Sequence, residues 1–430
     1  MRGSIVAAAA ISFALLLSFS SVGAALSVVS TIDLGNTGSQ GPPIYNPSNR
    51  DIYVSNLGTL NAGSISVIST SSNMVVANIT LGPNTEPEVG VLDTSNGNLY
   101  VPDVGDTVYV LSGTTNTIAA NITIAGNGLE APAFDPSNGM IYVPSLIPGT
   151  VSIIDTSNNS VIKTIDFPGP EAAVFDSSNG EVYIPTFQGI YSIAGSNNAV
   201  VGNVPLSSGV TTPVVDTANG DVYVPTGANS LLVLSQSNAV LANVTVGSVR
   251  ATPLFDPING DVYVPTNEGS MAVVSAVSNR LIANISLGGT TETPAIDSGS
   301  GELYATVSIS GSSQSNVTVI SGTSILTSMA VGSGAETGFF DAGNGDLYVP
   351  EEVAGAVSVI AVGTSSTQVS GTGSSSNSSL SNIPVSFLFM VATVAAIILV
   401  AAPAVRGRIR LATTQISRIF RAERPSSEGT

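Results

Sequence analysis

The chain of 430 residues contains no cysteine, no histidine and no tryptophan. Without cysteine a disulfide framework is excluded, so a folded body of this size must stand on its apolar core. Without histidine there is no imidazole base, no imidazole metal ligand and no Ser–His or Cys–His nucleophile pair. That argues against ordinary hydrolase chemistry. Charge is scarce too: only 9% of residues are Asp, Glu, Lys or Arg. Ser, Thr, Asn and Gly must supply most of the polar surface, and such a surface loses few ion pairs in acid. Between residues 25 and 382 the only basic residues are Arg50, Lys163, Arg250 and Arg280, against 27 acidic ones, a net of −23. Nucleic acid is therefore not an expected partner, because phosphate binding needs clustered Lys and Arg. This portion should instead attract cations.

What is present is a repeat. The pattern Asp-x-x-Asn-Gly-x-x-Tyr occurs eight times with variations, ending at Tyr53, Tyr100, Tyr142, Tyr183, Tyr223, Tyr263, Tyr304 and Tyr348. The tyrosines are 47, 42, 41, 40, 40, 41 and 44 residues apart, a period that marks a β-propeller or another repeat array. Each unit reads as four short strands of β-branched residues alternating with polar ones. In the third copy these are 131–135, 140–144, 150–155 and 161–167. Asn-Gly joins the first two strands in most copies, with Gly supplying positive φ and the preceding Asp bonding back onto the turn. A calcium reading of Asp256, Asn259 and Asp261 does not fit the EF-hand offsets, so turn chemistry is expected there. The tyrosines are expected to pack between blades with their hydroxyls finding partners at blade edges.

The last unit supplies three strands and no fourth. Residues 28–34, Val-Val-Ser-Thr-Ile-Asp-Leu, closely match 161–167, Val-Ile-Lys-Thr-Ile-Asp-Phe. The expected fold is therefore all-β: an eight-bladed propeller of four-stranded antiparallel blades over 25–362, closed by the N-terminal strand. An open solenoid is the alternative, and it would leave that strand without a partner.

The flanks carry targeting signals. Residues 1–24 have Arg2, an apolar run and small residues before Ala25, the layout of a secretory signal peptide. Residues 383–405 carry no charge and are long enough to span a bilayer, and Arg406, Arg408 and Arg410 follow. The positive-inside rule puts the basic tail, 406–430, in the cytoplasm and the propeller outside the cell. The tail reads either as a basic amphipathic helix on the membrane or as a plain stop-transfer sequence. Residues 363–382 form a Ser/Thr/Gly-rich tether between propeller and membrane.

The repeats resemble the YVTN β-propeller family of exported, surface-layer-type proteins. Tyr53-Val54-Ser55-Asn56 comes nearest to the namesake tetrad, while Tyr142-Val143-Pro144-Ser145 and Tyr223-Val224-Pro225-Thr226 substitute Pro. The seventh copy, Tyr304-Ala305-Thr306-Val307, departs further. The resemblance covers about 27–362 and implies an exported propeller; it implies little chemistry. The Trp-Asp signature of WD40 repeats is absent.

Two recurrences point to sites. Five residues before the marker Asp stands Glu88, Glu130, Glu171, Glu292 or Glu336, with Gly41, Thr211 and Ala251 in the other copies. This position is expected to start the innermost strand, so the carboxylates should form a partial ring at one channel mouth, with Asp103, Glu351 and Glu352 nearby. Gathered carboxylates raise one another's pKa unless a cation sits among them. An oxygen-only donor set suits a hard divalent cation such as calcium or magnesium. The plain alternative is that each Glu caps local backbone or faces solvent. The second recurrence is the glycosylation sequon, at Asn78, Asn121, Asn158, Asn243, Asn284, Asn316 and Asn377. Four of these share one place on the outermost strand, where simple polar alternation would give the same pattern.

The expected function is a membrane-anchored cell-surface binding or adhesion protein, or an envelope, surface-layer-type protein. Its partners would be polysaccharide, envelope proteins or other copies of itself. The competing class is an extracellular, divalent-cation-dependent hydrolase or lyase using the channel mouth.

Overall fold

The computed structural model describes residues 24–35, 41–56 and 62–364. The expected signal peptide, most of the tether, the membrane span, the basic tail and Asn377 lie outside the described residues. Each repeat forms one blade, here numbered I to VIII by its marker sequence. In blade III the strands run Ala133–Asp135, Met140–Ile147, Thr150–Asp155 and Ser160–Asp166, paired antiparallel in chain order. Blades III and VII also carry a short extra strand, Asn127–Leu129 and Thr290–Thr291, on the same second strand. Pro132 and Pro294 have no N–H to give the ladder, so the first strand is interrupted there and is shorter than the expected 131–135.

Burial follows position in the blade. Second and third strands are buried on both faces, as at Val222–Thr226 and Ser230–Leu234. Fourth strands alternate, with Ile122 buried between exposed Asn121 and Thr123, as expected for a strand packed on one side only. The buried residues divide into eight apolar clusters, one at each blade-to-blade interface.

The repeat signature is turn and latch chemistry. Asp135 pairs with Met140 across a four-residue turn in which Gly139 has φ +71°. Asp135 Oδ1 accepts the Ser137 N–H and Asn138 Oδ1 accepts the Met140 N–H, each at 2.8 Å. Asp256 and Asn259 do the same for Ile258 and Asp261 at 2.8 and 2.9 Å, so that trio serves the turn. The tyrosines lie between blades, each at most 1% exposed. Their hydroxyls reach forward: Tyr53 donates to Asn116, Tyr100 to Asn159, Tyr142 to Asn198 and Tyr348 to Asn73, all at 2.6 Å. Each acceptor is an asparagine at positive φ in the third-to-fourth-strand turn of the next blade. This second asparagine recurrence is visible in the sequence, but only the fold shows that it receives the tyrosine hydroxyls.

Ring closure is as expected. Ala24–Asp33 pairs antiparallel with Ala356–Thr364, from Ala24↔Thr364 to Asp33↔Ala356. The register skips at Val29, as it does at Ile162 in blade III, so the sequence match of 28–34 to 161–167 extends to the bulge. Ile32 and Leu34 enter the cluster shared by blades VIII and I. Across that seam the Asn344 side-chain amide donates to the Thr70 carbonyl at 3.1 Å. Tyr45 stacks on Phe339, with ring centroids 4.7 Å apart. These contacts exclude the open solenoid.

Candidate functional site

The glutamates sit just before the first strand proper, one step outside the expected place. Four of the five are held by a backbone bond to a proline of the second strand. Glu88, Glu130, Glu171 and Glu336 donate their N–H to Pro102, Pro144, Pro185 and Pro350 at 2.8, 3.0, 2.9 and 2.9 Å. Thr211 takes this place in blade V, bonded to Pro225 at 3.2 Å. In blade VI counting back from the marker Asp gives Ala251, but the ladder gives Arg250, bonded to Pro265 at 3.0 Å. One more residue separates this position from Asp256 than in the other blades, and a count cannot detect that shift.

The mouth is therefore electrostatically uneven. Blades II, III and IV present Glu88, Glu130 and Glu171 in succession with no cation between them. Burial, then the neighbouring carboxylates Glu130 and Glu86, push Glu88 up; burial, then Glu171, push Glu130 up; burial alone raises Glu171. On the far side Arg250 forms the one ion pair among the described residues, its Nη2 2.5 Å from Glu292 Oε1. Glu336 is pushed up to about 7 by burial, with Glu292 and Glu352 adding to the rise and Arg250 opposing it.

Below the carboxylates the inner segments touch directly. The Ala173 N–H donates to the Ala131 carbonyl at 3.0 Å, and the Thr293 hydroxyl to Thr252 at 2.9 Å. Of the three expected neighbours, Glu352 acts on the ring electrostatically. Glu351 is buried and turned into its blade, accepting from the Gly332 N–H at 2.8 Å and the Ser358 hydroxyl at 2.6 Å. Asp103 caps its own loop at Gly105. No three carboxylates among the described residues are grouped to hold a metal ion. The blades space them around a circle, one apiece, and an oxygen cage for calcium needs several on one point. The divalent-cation expectation finds no cage at these glutamates.

The sequons divide by strand. Asn78, Asn121, Asn243 and Asn284 are exposed on fourth strands, with the next residue buried and the following Thr or Ser exposed. Asn158 is exposed in a turn. Asn316 is half-buried on a third strand and its Thr318 is buried, hydrogen-bonded to Ser328 at 3.0 Å.

No protein-family model matches the chain, and no curated protein matches it in sequence. Among solved structures it is similar to the C-terminal WD40 domain of Sif2, with a TM-score of 0.63 at 10% identity. The match covers 79% of this chain and 98% of that one. The fold is thus a WD40-like β-propeller built without the Trp-Asp signature, and at this identity the likeness is of fold alone.

Proposed function

We propose that this chain is a binding scaffold of the cell surface: an exported, membrane-anchored propeller of the YVTN type, serving adhesion or the envelope. Residues 1–24 and 383–405 support export and anchoring, and the exposed fourth-strand sequons support a glycosylated rim. The observation that carries the binding reading is the unpaired arc of Glu88, Glu130 and Glu171, half-buried and mutually repelling. A cationic group of a partner entering the arc relieves that repulsion, and each glutamate brought back to its ionised state releases a proton. The metal-dependent enzyme reading lacks three grouped carboxylates, whereas a cationic side chain needs only the field of the arc.

The test is tetralysine binding to the full-length protein by calorimetry, repeated with the labelled peptide on intact expressing cells. The Glu130→Gln, Glu171→Gln double variant should bind about tenfold more weakly, roughly 1.4 kcal/mol, and wild-type binding should fade with added salt. Equal affinity of variant and wild type would remove the mouth from the reading. Signal on intact cells that external protease fails to strip would remove the surface placement.

A further inference from the structure

A second cleft lies at the seam of blades VIII and I, on the hairpin side of the ring. Its volume is about 450 Å³, within the range of roughly 300–1,000 Å³ that holds one small molecule. Tyr45, Phe339, Phe340, Arg50 and Asp341 line it. The eight copies show what the fold asks for at these places, so departures from the repeat are informative. Where Phe339 stands, the other copies have Ile44, Val91, Ala133, Val174, Val214, Leu254 and Ala295. Where Arg50 stands, the other seven have glycine at φ 71–78°.

Arg50 holds φ 61°, its carbonyl accepting the Thr70 N–H at 3.0 Å and the Thr70 hydroxyl at 3.1 Å. A side chain in this conformation is strained, and nothing in the turn requires it, since glycine serves the other turns. The guanidinium is exposed and forms no ion pair among the described residues. It is one of only four basic residues between 25 and 382. Tyr45 and Phe339 are stacked with planes 21° apart and are both only partly buried. Arg50 and Asp341, the latter 4% exposed, both line the cleft, so a donor and an acceptor flank the aromatic pair; burial, then Asp341, raise the Tyr45 phenol and Arg50 opposes them. Asp341 spends one oxygen on the Gly343 N–H at 2.9 Å.

We propose that this seam cleft binds the pyranose ring of a neutral sugar, its C–H face packed against the exposed side of the Tyr45–Phe339 stack and its hydroxyls between Arg50 and Asp341. Amphipathic rings beside a fixed donor and acceptor suit a ligand that is apolar on one face and hydroxylated at its edge. One cation beside one carboxylate favours no net charge in the ligand. The acidity of the whole region disfavours a polyanionic glycan. This deepens the binding-scaffold reading and rests on it, but it uses the side of the ring away from the glutamates.

The experiment is saturation-transfer NMR on the full-length protein with methyl glucoside, methyl mannoside and methyl galactoside, alongside N-acetylphenylalaninamide. At least one glycoside should receive saturation, and the amide should not displace it. Arg50→Gly restores the repeat residue, so it should leave the melting temperature unchanged or raised while weakening the glycoside at least about tenfold. Phe339→Val, also a repeat residue, should weaken it similarly. The Glu130→Gln, Glu171→Gln variant should bind the glycoside as wild type does, whatever its affinity for tetralysine, which separates this site from the mouth. Absence of any glycoside signal, glycoside binding indifferent to Arg50→Gly, or displacement by the amide would overturn the proposal.

Discussion

At the scale of single residues, the repeat signature is a set of joints between blades. A tyrosine buried at an interface brings a hydroxyl that must be satisfied, and at five of the eight interfaces the next blade supplies an asparagine already bent into positive φ by its turn. Tyr142→Phe keeps the ring and leaves Asn198 Oδ1 without its donor. Urea unfolding of the full-length chain should show a loss of about 1–3 kcal/mol. Tyr304 has only a 3.4 Å contact with Glu302, so Tyr304→Phe should lose less than about 1 kcal/mol. Equal losses would show that the hydroxyl is not the joint. The tyrosine's place was legible because its spacing is regular and its burial follows from size. Its acceptors are less regular, since Tyr53, Tyr100, Tyr142, Tyr223 and Tyr348 donate to a turn asparagine whereas Tyr263 donates to the Gly322 carbonyl, and a turn asparagine in a sequence looks the same whether or not it receives a bond from another blade. Arg50 is the complementary case: the sequence shows the broken motif, and only the three-dimensional seam shows what lies beside it.

At the scale of elements, the short lead into each first strand carries the carboxylate arc. Glu88, Glu130, Glu171 and Glu336 are all raised by burial above the value they take in an unfolded chain. The folded state therefore pays a charging penalty above its own pKa, and sheds it as the pH falls toward the unfolded value. For Glu336 that relief begins at about 7. Asp155 and Glu268 are lowered by local hydrogen bonds and act in the opposite sense, but both lie at the surface and are solvent-screened. Thermal melts of the full-length protein should rise as the pH is lowered from about 8 to about 5. Glu336→Gln should flatten the upper part of that rise. A melting temperature that falls steadily over this interval would contradict both the burial of the arc and the acid tolerance expected from composition. The arc itself was legible as a recurrence. Its register was not, because Arg250 enters the ring through a single extra residue before Asp256. The fourth strands were legible from alternation, with the bulged Val29, Val76 and Ile162 left exposed on the rim. Bulges there also roughen outer edges that would otherwise invite pairing.

At the scale of the whole molecule, the ring is one continuous set of eight interfaces, and the interface of blades VIII and I depends on the far end of the chain. Ile32 is buried in that cluster, whereas Val28 on the same strand is 45% exposed. Ile32→Ala should destabilise the full-length chain by about 2–5 kcal/mol in urea unfolding. Val28→Ala should change it by no more than about 0.5 kcal/mol. A reversal of that order would mean that the strand is not seated as described. Blade number and closure were legible because a period and an orphan strand are properties of the chain alone. The seam cleft was not, since Tyr45 and Phe339 are nearly three hundred residues apart and meet only when the circle closes.

The pairing of Ala24–Asp33 with Ala356–Thr364 also fixes an order of events. A chain made or exported from its N-terminus brings out this strand before any blade, and its partner appears only after every intervening blade. Until Ala356 follows, that strand has no ladder partner and the ring is an incomplete arc. Assembly is thus timed by the last arrival, and a chain cut short anywhere before that point can never be sealed.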